Sequence, residues 1–413
     1  MSRFLITVAT LLWSLAAHAA HYDLTWRLSF DPKTRTALGT LELGQGRDQL
    51  RTLDFEFPAA YSEVRADGEL KHKGKRTLWT PPAKGGSLRW RVRIEETRAN
   101  GSYRSYFPGD WALFRGDRVF PRAIVRTLKG AQSRARLILD IPRSWHLDTP
   151  YLTEADGTTF IVDDPDRGFD RPVGWMLVGD VGTRREIIAG TEISLAAPKD
   201  EGMRRMDMLA FLNFTLPAMK DAYGALPPKI LIVSAPDPMW RGGLSAPRSL
   251  YLHLDRPMIS ENATSTLLHE LTHVITRIRG QNDDDDWLAE GLAEYYAVEL
   301  LHRTGGMTDA RYQHTLDWLA GWGKKVKSLR AERSSAETTA RAVLLLVAVD
   351  EEIRKATDGR KDFDDVTRKL MRERKVSTKE FIEISEKVAG RKLKALDSPA
   401  VAIKPQQQQL SVG

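Results

Sequence analysis

The chain has 413 residues and no cysteine. Disulfides, thiolate metal sites, thiol nucleophiles and lipid attachment through cysteine are thereby excluded. Past the first twenty residues, no apolar run is long enough to span a bilayer. The strongest one, residues 342–349, is too short and reads as a buried core helix. Internal repeats are absent. The surplus of positive charge is small, +7 over the whole length; it could favour an anionic surface or an acidic substrate, and a diffuse solubility feature is the simpler reading. With 42% hydrophobic and 28% charged residues the composition is that of an ordinary globular protein. The length allows two or three domains.

Residues 1–20 read as a secretory leader. Arg3 supplies the positive region, residues 4–16 the apolar stretch and Ala17-His18-Ala19 a small-residue cleavage site. The expectation is export across the inner membrane, a periplasmic location in a Gram-negative cell, and no integral span once the leader is removed. Residues 21–199 read as a β-rich domain. Tyr22-Asp23-Leu24-Thr25-Trp26-Arg27-Leu28-Ser29-Phe30 alternates apolar and polar along a strand, as do residues 88–94 and 135–141. Turn signals at Ala66-Asp67-Gly68, Pro81-Pro82 and Gly85-Gly86 separate the runs, which predicts an antiparallel β-sandwich-like domain. Alternation on exposed strand faces accounts for the arginines and tryptophans here, so no nucleic-acid partner is expected.

Residues 200–400 form the expected second domain, and 401–413 a disordered tail. A helix is predicted over residues 203–223, kinked or interrupted at Pro217. A strand at 229–234, a loop at 241–247 and a second strand at 249–254 come next. The run Asp283-Asp284-Asp285-Asp286 lacks the spacing of a calcium loop and reads as a solvated segment at the head of a helix. Ser377-Thr378-Lys379-Glu380 is a capping box that opens the last helix.

The chemistry is concentrated in His269-Glu270-Leu271-Thr272-His273. Leu267, Leu268, Leu271, Val274, Ile275 and Ile278 recur at helical spacing, with Ser260 as the expected N-cap and Gly280 near the end. Two histidines four apart share one helix face and can share one metal ion, while Glu270 between them can reach a water on that ion. A catalytic zinc site has three protein ligands and leaves a place for water. Glu290, on a following amphipathic helix, is the expected third ligand. Glu294, one turn further on, can accept a hydrogen bond from the free ring nitrogen of a liganding histidine.

The HExxH segment followed by Trp287-Leu288-Ala289-Glu290-Gly291-Leu292-Ala293-Glu294-Tyr295 resembles the gluzincin metallopeptidases. Within them it resembles the glycyl aminopeptidase-like branch and, more distantly, aminopeptidase N. The resemblance implies an α+β protein with a thermolysin-like, mainly helical catalytic domain behind the β domain. It also implies a Zn2+ cofactor and a peptide or protein substrate. Glu270 would take the proton of the attacking water while zinc polarises the peptide carbonyl. The strand at 249–254 would lie beside the cleft and pair with an extended substrate, and Gly243, Leu244 and Ser245 would contact it. Two departures stand out. Relatives often carry a glutamate after the glycine turn that holds a free amino terminus, and here Ser245-Ala246 stands there. Relatives also place a tyrosine, which steadies the oxyanion, where this chain has Thr339. Tyr295, Tyr296, Tyr312, His253, His302 and Arg341 are the candidates to replace it. The resulting expectation is a zinc peptidase whose exo- or endo-mode is open. The alternatives are a zinc-binding relative with little turnover and an envelope peptide- or protein-binding protein.

Overall fold

A computed structural model describes residues 21–164, 168–331 and 333–403. The expected leader and the tail beyond residue 403 lie outside the described residues.

The alternation near the start produces a strand, His21–Asp31, with Tyr22, Leu24, Trp26 and Leu28 all fully buried. It is central in a six-stranded sheet. The spatial order is Thr159–Val162, Gln132–Asp140, His21–Asp31, Thr36–Leu43, Gly86–Arg93 and Tyr61–Ala66. The pairings are antiparallel apart from that of His21–Asp31 with Gln132–Asp140, which is parallel. A four-stranded sheet of Arg122–Thr127, Leu50–Glu56, Arg76–Thr80 and Glu69–Lys73 contributes to the same core. Large aromatics fill that core. Trp26 and Trp90 meet edge to face at 6.2 Å, a favoured aromatic geometry. Their indole N–H groups donate to the carbonyls of Asp170 and Val119, so neither buried donor is left unpaired.

The second domain is built on a five-stranded sheet. Its order is Val181–Ile188, Thr191–Pro198, Lys229–Ala235, Ser249–His253 and Gly243–Ala246. The expected boundary at 199/200 therefore falls between two strands of one sheet. The parallel step from Thr191–Pro198 to Lys229–Ala235 is bridged by the helix Arg205–Tyr223, the usual crossover for parallel neighbours. That helix runs through Pro217 without interruption. Burial of Leu209, Leu212, Leu216 and Met219 against the sheet outweighs the one backbone hydrogen bond that proline removes.

The expected loop at 241–247 contains the edge strand, Gly243–Ala246. Ser249–His253 has a sheet neighbour on each side. It cannot pair with a substrate as expected, because both its edges are taken, and the outermost strand is Gly243–Ala246 instead.

Among the described residues, six further α-helices complete the domain: Thr266–Thr276 and, after it, Asp286–Arg303, Asp309–Gly323, Ala336–Ala356, Phe363–Glu373 and Thr378–Ala389. The apolar run at 342–349 lies inside Ala336–Ala356. The acidic run heads a helix as expected, but its solvation is uneven, with Asp283 exposed and its neighbours engaged. Asp285 is buried and accepts hydrogen bonds from the Thr378 amide at 2.8 Å and hydroxyl at 2.7 Å. Asp284 pairs with Arg330, and Asp286 accepts the Ser334 amide at 3.0 Å. These carboxylates meet the unsatisfied N–H groups of other segments, a lower-energy use than hydration alone.

Candidate metal centre

The helix Thr266–Thr276 carries the two histidines. Its N-cap is Ser265, whose hydroxyl accepts the Leu268 amide at 3.3 Å. Ser260 instead closes the preceding turn by accepting the Thr264 amide at 3.1 Å. The helix stops early because Arg277 adopts a left-handed conformation, φ 55°. Its amide returns to the His273 carbonyl at 3.0 Å. The chain then pairs Arg279–Gly280 with Lys375–Val376, which pins the end of the helix to the far side of the domain. Leu267, Leu268, Leu271, Val274 and Ile275 are buried in the core, and this turns His269 and His273 to the opposite face.

There the side chains converge. Nε2 of His269 lies 3.2 Å from Nε2 of His273. The Glu290 carboxylate, from the helix Asp286–Arg303, lies 3.4 Å from the first and 3.5 Å from the second. One donor atom from each of the three residues lies within 4.8 Å of the others. Glu294 accepts from Nδ1 of His269 at 2.9 Å. Nδ1 thus carries a proton, and Nε2 is the nitrogen that faces Glu290 and His273.

The electrostatics follow from this crowding. Burial alone would lower His269, but Glu290 and Glu294 hold it up to about 10. Burial, joined by the charge on His269, pushes His273 down to about 4. Burial alone would raise Glu290, yet the two histidines take it below its ordinary value. Two imidazoles 3.2 Å apart disfavour carrying a positive charge each, so protonating one opposes protonating the other. Two imidazole nitrogens and a carboxylate are a donor set that suits a divalent zinc ion.

Glu270 stands apart from that set. It is 8% exposed, so burial raises its affinity for a proton. The nearby charge of His269 and hydrogen bonds from the Ser245 hydroxyl and amide act in the opposite direction. The edge strand comes this close because residue 243 is glycine. A Cβ there would lie 2.7 Å from Cγ2 of Thr266 and 2.8 Å from Cγ of Glu270.

A cleft of about 680 Å³ opens at His273 and Glu290. Of the three expected substrate contacts, Ser245 lines it, Gly243 abuts Glu270, and the Leu244 carbonyl accepts the Trp175 indole N–H at 2.8 Å. None of the six candidates for the missing tyrosine lines the cleft. Tyr295 and Tyr296 are buried in the core, and the Tyr296 hydroxyl lies 2.9 Å from both Asp364 and Thr367. Tyr312 donates to Glu299 and stacks on His302, while His253 faces a separate cavity. Thr339 sits in the first turns of the helix Ala336–Ala356 and also does not line the cleft. The cleft wall includes Arg115, Arg277 and Arg333, which carry no sequence signal of a site.

No protein-family model and no curated protein matches the chain. Solved structures do. An aminopeptidase N family protein from Idiomarina loihiensis superposes with a TM-score of 0.63 at 16% identity, over 87% of this chain and 72% of that one. A two-domain M1 zinc metallopeptidase variant bound to L-tryptophan gives 0.58 at 16% identity, over 94% and 95%. Yeast LTA4 hydrolase in complex with bestatin gives 0.59 at 12% identity, over 94% and 68%. At such identities the likeness is one of fold, and the fold is that of the aminopeptidase N-like zinc metallopeptidases.

Proposed function

We propose that the chain is a zinc-dependent peptidase in which Glu270 is the general base. The observation that carries this reading is the convergence of His269, His273 and Glu290 within 4.8 Å, with a buried, non-liganding carboxylate on the same helix. His269, His273 and Glu290 would hold the ion, which when bound supplies Lewis acidity to water and to the peptide carbonyl. Glu270 accepts the proton of the attacking water and returns it to the leaving amine. Its buried carboxyl binds a proton more readily than an exposed one, which suits both halves of that task near neutral pH. Glu294 orients His269 through Nδ1. The edge strand Gly243–Ala246 is placed to run beside an extended substrate.

The same geometry bears on mode. Ser245, Ala246 and Pro247 line the cleft and bring no carboxylate to meet a substrate ammonium. Desolvating an ammonium there without a counter-charge would cost several kcal/mol, as an order of magnitude. The reading is therefore an endopeptidase. The test is zinc content measured together with cleavage of a mixed peptide library, each peptide paired with its N-acetylated twin. About one zinc per chain and equal or faster cleavage of the acetylated forms are expected. Stepwise removal of single residues from free-amine peptides alone would overturn the endopeptidase mode.

One observation favours a second reading, a zinc-binding relative with little turnover: among the described residues no tyrosine lines the cleft. Zinc-loaded protein that cleaves no library member would establish it.

A further inference from the structure

We propose that the cleft selects peptides bearing a carboxylate, and that Arg115 and Arg277 receive it. This rests on the peptidase reading of the metal centre. The two arginines line the cleft together with Ser245, Ala246 and Pro247. They come from separate parts of the chain. Arg115 ends the strand Trp111–Arg115 of the first half, and Arg277 caps the histidine helix.

Both guanidinium groups are partly open to solvent, at 28% and 31% side-chain exposure, and that of Arg115 is firmly anchored. Asp117 takes Nε and Nη2 of Arg115, each at 3.0 Å. The Arg115 guanidinium lies 5.9 Å from the centre of the Trp175 ring, and Nη1 is not used by Asp117. Asp164 lies 3.7 Å from Nη2 of Arg277. A fork anchored like that of Arg115 loses little further freedom when it binds a planar carboxylate. Arg279 and Arg333 also line the cleft and have no carboxylate partner among the described residues. Besides Glu290, the lining carboxylates are Asp283 and Asp286. Both sit at the head of the helix Asp286–Arg303, and Asp286 is engaged by the Ser334 amide. Among the described residues, four guanidinium groups thus line the cleft beside the carboxylates of Glu290, Asp283 and Asp286. An acidic side chain and a terminal carboxylate offer these groups the same chemistry.

The test uses the zinc-loaded Glu270→Gln protein, so that binding is read without cleavage. Three N-acetylated peptides are titrated: one with Glu and an amidated end, its Gln twin, and the Gln twin with a free carboxyl end. The Glu peptide or the free-end peptide should bind at least ~10-fold tighter than the amidated Gln peptide. Which of the two does so identifies the source of the carboxylate. The preference should shrink as salt is raised. Arg115→Met and Arg277→Met should each bring the ratio towards one, with zinc content and melting temperature retained. Equal binding of all three peptides overturns the proposal, as does a preference that survives in the double variant. Selective binding by a wild-type protein that cleaves nothing would sink the peptidase reading and leave this site standing. Cleavage without selectivity would do the reverse.

Discussion

Glu294 Oε2 lies 2.9 Å from Nδ1 of His269, and this contact decides which imidazole nitrogen faces the metal centre. Glu294 and Glu290 are four apart on one helix, so one turn supplies both a donor and the group that orients its neighbour.

Removing the orienting group should loosen the ion without abolishing its site. Glu294→Ala is expected to weaken zinc roughly 10- to 100-fold, measured by competition with a chelator of known affinity. His269→Ala or His273→Ala should instead lose stoichiometric zinc. Unchanged affinity in Glu294→Ala would reduce Glu294 to a structural carboxylate.

Glu270→Gln keeps the shape of the side chain and removes the base. Zinc content and melting temperature should hold, and turnover should fall at least ~100-fold. Full activity in this variant would reject Glu270 as the proton acceptor.

Gly243→Ala places a methyl group 2.8 Å from Cγ of Glu270. Either the edge strand or Glu270 must move, at an expected cost of about 1–3 kcal/mol in unfolding free energy. Turnover should fall while zinc is retained. Wild-type stability and turnover would show that the contact relaxes freely.

Away from the centre, burial raises Asp170 from 3.8 to about 6 against the opposing hydrogen bond from Ser133. Between those values the folded chain holds a proton that the unfolded chain has lost, so stability falls as pH rises through that window. Asp170→Asn should flatten that slope, so its stability relative to the unsubstituted protein should rise as pH rises through the window. Denaturant unfolding from pH 4 to 7 reads it. Parallel profiles for the two proteins would show that Asp170 is not the group responsible.

Local spacing was enough to single out the residues that converge at the candidate centre. The four-residue interval between His269 and His273 places both on one helix face whatever surrounds it, and Leu267, Leu268 and Leu271 choose the buried side. Alternation likewise marked His21–Asp31 as a half-buried strand, and the capping box at Ser377 opened the last helix. These are short-range consequences of helical and strand periodicity. Where the histidine helix begins and ends was harder to read. Ser260 and Ser265 both offer a capping hydroxyl, and only the closed turn between them selects the second. The remaining features depend on partners distant in sequence. Which strand is outermost follows from the parallel crossover through Arg205–Tyr223, and Gly243–Ala246 becomes an edge only once Ser249–His253 is enclosed. Asp285 is buried because Thr378 needs an acceptor. Arg115 reaches the cleft because the strand that carries it, Trp111–Arg115, pairs with Trp175–Gly179, and Trp175 donates to Leu244. Periodicity sets which face of an element is apolar, and long-range packing alone sets what that face, and the polar one opposite, will meet.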